Sequence, residues 1–308
     1  MNASHITKHR RRKRLQVACV ALALIPMASV APVRANTITA DAGMETSPDT
    51  PIFKELFEIT EYENLTDLRL THELQFRLGE RTEMRVAVPT ILHRRADFPG
   101  LFGNEDTETM SGLGDVKLRL LHSVWQTDDV IQSNRWSIIG EVTAPTGDDD
   151  ERGDGWVEVP RELRISDGGW GMGGGTVITF IRDRHRFSSE WMYRHRTRHD
   201  GYRAGDSAHW NLAYWYRLFP AVFSDQSEEE FEIRGVIELL NTYNFESKTG
   251  DHHDGDHGLE TWIAPSLQIF IKPRVLFDIG VQLPIIETVN DDKGDRRWAG
   301  LFAIRVLL

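Results

Sequence analysis

Apolar and polar side chains alternate strictly between Leu68 and Leu78. The even positions of this segment hold leucine, histidine and phenylalanine, and the odd positions hold arginine, threonine, glutamate and glutamine. Because successive side chains of a β-strand point to opposite faces, this period of two predicts a strand with one apolar and one polar face. Residues 79–81 (Gly-Glu-Arg) then predict a tight turn, and the alternation resumes at Met84. The two segments are predicted to form a β-hairpin.

The same period continues along the rest of the chain. Segments that begin at Val116, Trp136, Trp210, Phe231 and Val275 again alternate apolar with polar side chains. The segments 172–182 and 186–196 are ambiguous, because apolar residues occur on both faces. With an opening strand near residue 53, the pattern predicts twelve strands: 53–62, 67–78, 82–92, 113–125, 135–145, 172–182, 186–196, 208–219, 230–241, 259–272, 274–284 and 296–308.

The predicted connections differ in length between the two ends of the strands. The connections at one end are short or modest: 79–81, 126–134, 183–185, 220–229 and 273. Those at the other end, apart from the short 63–66, are long and polar: 93–112, 146–171, 197–207, 242–258 and 285–295. This asymmetry is typical of an outer-membrane barrel, and strands of about ten residues can cross the hydrocarbon layer at a tilt. We therefore expect an all-β fold, a single transmembrane antiparallel β-barrel of about 12 strands with both termini on the periplasmic side.

A soluble, exported β-sandwich or barrel is the alternative, since its strands alternate in the same way. Alternation does not tell which face lies inside. The many charged residues on the polar face, and a strand that ends at the last residue, favour the membrane barrel.

The N-terminus is typical of an exported protein. A basic cluster at 8–14 precedes a charge-free, largely apolar stretch at 15–33, and small residues follow around Ala35. This order of regions predicts a cleavable signal peptide. An uncleaved single-pass anchor is the alternative, which Pro26 and Pro32 disfavour. We expect a signal peptide at 1–35, a periplasmic lead-in at 36–52 and the outer-membrane β-barrel at 53–308.

Composition and charge restrict the classes of function. The 308 residues include 36 lysines and arginines against 47 acidic residues, and this net charge of −11 argues against a general nucleic-acid-binding protein. A mean hydropathy of −0.40 excludes a bundle of membrane helices. The single cysteine, Cys19, lies in the predicted signal peptide, so the exported chain must fold without disulfides.

Four short motifs occur in order along the chain. Residues 112–115 (Gly-Leu-Gly-Asp) open a predicted strand, 144–148 (Ala-Pro-Thr-Gly-Asp) end the next, and 216–220 (Tyr-Arg-Leu-Phe-Pro) and 280–284 (Gly-Val-Gln-Leu-Pro) follow. Together they resemble the phenol-degradation-associated outer-membrane transporter family, over nearly the whole mature chain. The resemblance implies export, a barrel, and transport linked to the catabolism of aromatic compounds. Outer-membrane barrels usually end in phenylalanine, whereas this chain ends in Leu308.

Charged residues on the polar faces are the candidate functional residues. If these faces line the lumen, basic side chains outnumber acidic ones there, and the remaining acids concentrate in the loops. The predicted lumen-lining residues of a substrate path are Arg69, Glu73, Arg77, Arg85, Lys117, Arg119, Glu141, Glu190, Arg194, Arg217, Arg234, Glu238, Asp278 and Arg305. Two interpretations stay open: ion pairs that brace a narrow barrel, or an electropositive lumen that selects anions such as aromatic carboxylates.

Aromatic residues flank three predicted turns. The pairs are Phe180 with Phe187, Phe270 with Phe277 and Trp125 with Trp136. Such pairs are typical of the aromatic girdle at a membrane interface. Trp125 has an odd number, whereas the even-numbered positions of its strand form the apolar face. This interpretation therefore requires a β-bulge.

Other candidate chemistry is weaker. Residues 251–257 (Asp-His-His-Asp-Gly-Asp-His) offer oxygens and imidazoles without a fixed ligand spacing, so we predict a solvated acidic loop, with no metal and no cofactor. A basic loop from Arg194 to Arg203 is expected to meet lipopolysaccharide phosphates. The motif Gly-x-Ser-x-Gly is absent, and the outward-facing His72 and His122 have no obvious serine nearby, so we expect no enzymatic activity.

The sequence thus predicts a porin-like channel or facilitator in the bacterial outer membrane, for passive uptake or release of small solutes, with anionic aromatic compounds as one class. Its expected partners are outer-membrane lipid, lipopolysaccharide, the solute, and the barrel-assembly machinery through the C-terminal strand, with no nucleic acid. The alternative is a non-transporting barrel that is structural or adhesive or whose loops bind divalent ions. A hydrolase is a more distant alternative.

Overall fold

The computed structural model describes residues 50–99, 105–129, 132–148, 163–221, 231–271, 274–289 and 294–308. The predicted signal peptide and residues 36–49 of the predicted lead-in lie outside these ranges. Among the described residues, no helix is long and apolar enough to cross a membrane.

Sixteen β-strands form in the described part of the chain. They are β1 (Ile52–Tyr62), β2 (Leu65–Arg77), β3 (Thr82–Pro99), β4 (Glu105–Leu113), β5 (Val116–Asp128), β6 (Gln132–Ala144), β7 (Gly171–Arg182), β8 (His185–Arg196), β9 (Tyr202–Arg203), β10 (Ser207–Phe219), β11 (Phe231–Asn244), β12 (Lys248–Thr249), β13 (His252–His253), β14 (Gly258–Ile271), β15 (Val275–Glu287) and β16 (Arg296–Leu307).

The main sheet closes on itself. Its strands pair antiparallel in the order β2-β1-β16-β15-β14-β11-β10-β8-β7-β6-β5-β3-β4, and β2 also pairs with β3. Since β4 and β5 pair with successive parts of β3, they count as one strand of the wall. The result is the predicted closed, antiparallel barrel of 12 strands. Closure leaves no open sheet edge, which the hydrocarbon layer would not tolerate.

The predicted loop 93–112 is wrong, because most of it forms a paired extension of the wall. β3 continues to Pro99, and Arg94–Pro99 pairs with Glu105–Met110 of β4. Charged residues on both faces interrupt the alternation there, so this segment carries no period-two pattern. The break between β4 and β5 requires Gly114: a Cβ at this position would lie 2.9 Å from Cγ of Pro89.

Two further predicted loops contain short strands. β9 lies in the predicted loop 197–207 and β12 and β13 lie in the predicted loop 242–258. β12 pairs with both β9 and β13, which ties these loops together in a small antiparallel sheet. The loop end of the barrel is therefore more ordered than expected.

Burial along the strands is the reverse of that in a soluble protein. On one face, apolar side chains such as Ile279 (57%) and Trp191 (54%) are exposed, whereas Glu238 and Asp278 on the other face are fully buried (0%). An exposed apolar belt of this size is stable only when lipid covers it. The protein is a transmembrane barrel of the bacterial outer membrane, and the soluble alternative is wrong.

The aromatic pairs were predicted correctly except for one ring. Trp125 pairs with Trp136 after a bulge that begins at Ser123, as its parity required, and both indoles are exposed. Phe180 and Phe187 are exposed too. Phe270 is instead buried on the inner face against Leu276, so its place in the girdle was wrong. Its strand carries apolar residues on both faces, and parity could not be read from the pattern.

Candidate functional site in the lumen

The structure places all fourteen predicted lumen residues on the inner face of the wall. Every one is buried or half-buried. The inner faces also carry apolar clusters, one of which contains the buried Trp215 and Trp262. The lumen wall therefore combines charged and aromatic side chains.

The densest charge cluster surrounds Glu141 of β6. Arg119 of β5 donates to Oε2 through Nε (2.9 Å) and Nη2 (2.6 Å), and Arg194 of β8 donates to Oε1 through Nε (2.7 Å). Nζ of Lys117 lies 4.0 Å from Oε1. Three cations thus share one buried carboxylate, and the cluster is positive. We name these four residues the Glu141 cluster.

Glycine in the intervening strand allows this arrangement. β7 lies between β6 and β8, and its inward position level with Glu141 is Gly173. A Cβ at Gly173 would lie 2.7 Å from Cε of Met192 and 3.3 Å from Cγ of Arg194. The missing side chain leaves Arg194 room to reach across the strand.

His209 of β10 extends the Glu141 cluster. Its Nε2 lies 2.7 Å from Nη1 of Arg194, and its Nδ1 lies 2.9 Å from Oγ1 of Thr242. A guanidinium can only donate, so this geometry assigns Nε2 as the acceptor and places the proton on Nδ1. The neutral imidazole orients Arg194 and leaves the excess of positive charge unchanged.

Other predicted lumen residues form pairs with one cation to one carboxylate. Arg305 lies 3.2 Å from Asp278, and Arg234 lies 2.6 Å from Glu232. Arg85 pairs at 2.6 Å with Glu83, which the sequence interpretation did not include. Such pairs stabilise the wall and add no net charge to it.

Arginine–aromatic stacking on the inner face was not predicted. The guanidinium carbon of Arg186 lies 4.7 Å from the Trp215 ring centroid, and that of Arg296 lies 4.4 Å from the Trp262 ring. Each pair joins residues from different strands, so spacing along one strand carries no signal for it. The ambiguous pattern of 186–196 also hid the inward position of Arg186.

A cavity of about 530 Å³ lies at the loop end of the barrel. Inward residues near the ends of β1, β2 and β16 form one part of its wall, and segments of the loops form the rest. Five arginines line it: Arg69, Arg94, Arg164, Arg196 and Arg296. Of these, only Arg69 was predicted to line the substrate path. We name this space the loop-end cavity.

A buried ion pair anchors one loop segment over this cavity. Arg94 is bidentate to Asp67, with both N–O distances 3.1 Å, and Nη1 of Arg94 donates to the carbonyls of Leu163 (3.3 Å) and Arg164 (2.6 Å). Leu163 is fully buried against Leu65 and Ala96. We name residues 163–170 the cap segment.

Two motifs of the family resemblance meet beside the cap segment. Asp115, which ends the first motif, accepts hydrogen bonds from the backbone N–H of Gly147 in the second (3.0 Å) and from Oγ of Ser166 (2.7 Å). The Oγ1 of Thr146 also accepts the backbone N–H of Val116 (2.9 Å). The motifs therefore fix the path of the chain where β5 and β6 leave the barrel wall.

Hydrogen bonds within the loop order the acidic tract 251–257. Glu246 accepts from His253 and from the backbone of Gly255, and Asp256 accepts the backbone N–H of Ser247 at 2.7 Å. Among the residues that the structure describes, no three histidine, cysteine or acidic side chains converge as a metal site would require.

Asp206, just before β10, organises the predicted basic loop. Burial raises its pKa, but hydrogen bonds from the Tyr193 hydroxyl (2.7 Å), the backbone of Arg196 and His195 outweigh burial and hold the pKa below the usual range of an aspartate. An ionised Asp206 thus ties the end of β8 to the start of β10.

The two outward histidines contact neighbours other than serine. Nδ1 of His72 lies 2.9 Å from Oε1 of Glu55, and Nδ1 of His122 lies 3.0 Å from Oγ1 of Thr82. Neither contact supplies the serine nucleophile that a lipase would need.

Comparison with known families identifies the chain. The model of the family described as "Putative MetA-pathway of phenol degradation" matches residues 57–298. The protein belongs to this family. The match covers almost the entire barrel of this phenol-degradation family member and agrees with the resemblance seen in the four motifs. No curated protein matches its sequence.

Solved structures share the fold of this phenol-degradation family member. An outer-membrane channel from Pseudomonas putida F1 superposes with a TM-score of 0.67 at 11% identity, covering 93% of this chain and 100% of that chain. The NanC porin (TM-score 0.41, 11% identity, 82% and 98% covered) and the outer-membrane protein OprD from Pseudomonas aeruginosa (TM-score 0.36, 9% identity, 90% and 98% covered) are more distant barrels.

Proposed function

We propose that the barrel is a passive channel for small solutes in the outer membrane and that its lumen prefers anions, with aromatic carboxylates as one class of solute. The observation that carries this proposal is the Glu141 cluster, in which three cations share one carboxylate on the inner wall. A positive ring or patch at a narrow, low-dielectric position favours the passage of anions.

Two further observations support conduction rather than catalysis. The superposed Pseudomonas putida protein is described as an outer-membrane channel. The family description refers to phenol degradation, which concerns small aromatic compounds. We infer no catalytic step for this chain.

Export and assembly belong to the same proposal. We infer that residues 1–35 are removed as a signal peptide and that the barrel-assembly machinery engages β16, which closes the wall by pairing with β1 from Ile52 to Tyr62. We also infer that the basic loop between β8 and β10 contacts lipopolysaccharide phosphates.

Reversal potentials in planar bilayers test the channel proposal. The detergent-extracted full-length protein should conduct, and a KCl gradient should give a reversal potential of the sign of anion preference. Arg194→Gln should reduce this preference, because it removes one cation of the Glu141 cluster.

Arg95→Gln is the matched control. Arg95 is exposed on the other face of β3, beyond the barrel lumen, and its replacement should leave the reversal potential unchanged. A cation preference of the wild-type protein, or the lack of any conductance, would show that the proposal is wrong.

A further inference from the structure

We propose that the loop-end cavity is a binding site for a small organic carboxylate. The site would hold the solute before it reaches the Glu141 cluster, and in that respect it rests on the proposed function. The volume of about 530 Å³ lies within the range of small-molecule sites. The arginines of its wall supply the recognition.

The carboxylates of the cavity already have donors. Asp67 is held by Arg94 and by Nη2 of Arg69 (2.8 Å), and Asp115 accepts Ser166 and Gly147. Protein donors therefore already occupy oxygens of both carboxylates.

The remaining three carboxylates are also engaged. Asp256 accepts the Ser247 backbone, Asp167 accepts the Gly169 backbone at 2.8 Å, and Glu58 accepts Oγ1 of Thr60 at 3.0 Å. One oxygen of each of these three carboxylates therefore already accepts a protein donor.

Three arginines of the wall have N–H groups that donate to no described acceptor. Arg296 donates through Nη2 to Gln282 (2.6 Å), and Nη1 of Arg196 comes no closer than 3.9 Å to Asp167. Nε of Arg69, Nη1 of Arg196 and Nε of Arg296 are buried and have no hydrogen-bond acceptor among the described residues. Buried donors without acceptors are costly. A carboxylate offers two oxygens that a guanidinium recognises as a bidentate pair.

The guanidinium of Arg296 is held in place before any ligand binds. It stacks 4.4 Å from the Trp262 ring centroid and 5.8 Å from that of Tyr62. Stacking fixes its plane and reduces the entropy that an anion would have to remove on binding. Thr60 and Asn244 add polar groups to the same wall, which suits a solute with further hydrogen-bonding groups.

Calorimetric titration of the full-length protein in detergent with benzoate tests the site. Benzyl alcohol, which keeps the ring but lacks the charge, is the comparison ligand. Benzoate should bind and benzyl alcohol should not. Arg196→Gln and Arg296→Gln should each weaken benzoate binding about tenfold or more, because each removes a charged donor.

Arg198→Gln is the matched control, since Arg198 lies on the exposed loop and donates to the Gly250 carbonyl outside the cavity. It should bind benzoate as the wild type does, and heat-dependent gel mobility confirms that each variant is folded. The site is overturned if benzoate gives no heat, if benzyl alcohol binds equally, or if both cavity variants bind normally. Bilayer conductance of the same preparation separates the two proposals: conductance without benzoate binding removes the site alone, and binding without conductance removes the channel.

Discussion

A polar pair lies in the middle of the lipid-facing wall. His72 of β2 has Leu68 and Leu70 on one side along its outer face and Leu74 and Phe76 on the other. Its hydrogen bond to Glu55 therefore lies at membrane depth, where an unpaired polar group has no water to replace a lost partner.

Removing one partner of this pair should cost more than removing both. We expect Glu55→Leu and His72→Leu each to destabilise the barrel by about 1 kcal/mol, because each leaves a polar group alone in lipid. The double variant should be at least as stable as the wild type, because two apolar side chains suit the lipid face. Guanidinium unfolding in liposomes measures these differences.

Glu61 and Thr66 form the control pair for Glu55 and His72. They hydrogen-bond at 2.9 Å across the same two strands, but at the loop end, where the wall leaves the lipid. Replacing both by leucine should give no gain in stability. A Glu55→Leu, His72→Leu double variant less stable than both single variants would contradict the explanation.

Single residues show what the sequence could predict. Period two assigned Glu141, Arg119 and Arg194 to one face, because parity is a local property of each strand. It could not show that all three share one site, because Arg194 reaches Glu141 across β7 and depends on the absence of a side chain at Gly173. Contacts between strands require register, which the sequence pattern does not contain.

At the scale of elements, Arg94 connects the barrel wall to the cap segment. One buried guanidinium bonds the Asp67 carboxylate and two carbonyls of the cap segment. Residues 164–167 of the segment line part of the loop-end cavity, so we expect the position of the segment to affect the access of solutes.

Arg94→Gln should release the cap segment. We expect backbone amides of 163–170 to exchange hydrogen about tenfold faster or more, because the two hydrogen bonds from a buried charged donor to the segment are lost. We also expect single-channel conductance to rise. Hydrogen-exchange mass spectrometry measures the first change. Arg95→Gln is the control, since the adjacent Arg95 points away from the cavity and is exposed. Equal exchange in both variants would exclude the proposed anchoring.

The elements were predictable where lipid imposes the alternation. All twelve wall strands were found, ten of them to within about three residues at both ends, because lipid on one side and a polar lumen on the other enforce period two. The extension of β3 with β4 and the small sheet of β9, β12 and β13 were missed. They lie beyond the lipid, where both faces of a strand tolerate polar residues.

At the scale of the whole molecule, two distributions of charge act in opposite directions. The chain has a net charge of −11, and its acidic residues concentrate in loops. The Glu141 cluster instead holds three cations and one carboxylate within the lumen. A field set by the total charge would favour cations, whereas a field set by the Glu141 cluster would favour anions.

Glu141→Gln separates these two possibilities. It changes the total charge of −11 by only one unit, but it removes the single carboxylate of the cluster. If the cluster sets selectivity, this variant should be clearly more anion-selective than the wild type. Arg119→Gln, which removes a cation, should be less anion-selective than the wild type. Both shifts should shrink between 0.1 M and 1 M salt, as the screening length falls from about 10 Å to about 3 Å. Reversal potentials at the two salt concentrations measure this, with heat-dependent gel mobility as the check on folding. Unchanged selectivity in folded Glu141→Gln protein would mean that the ions pass elsewhere or sense only the loops, because an ion that passes close to the cluster would sense the loss of its carboxylate.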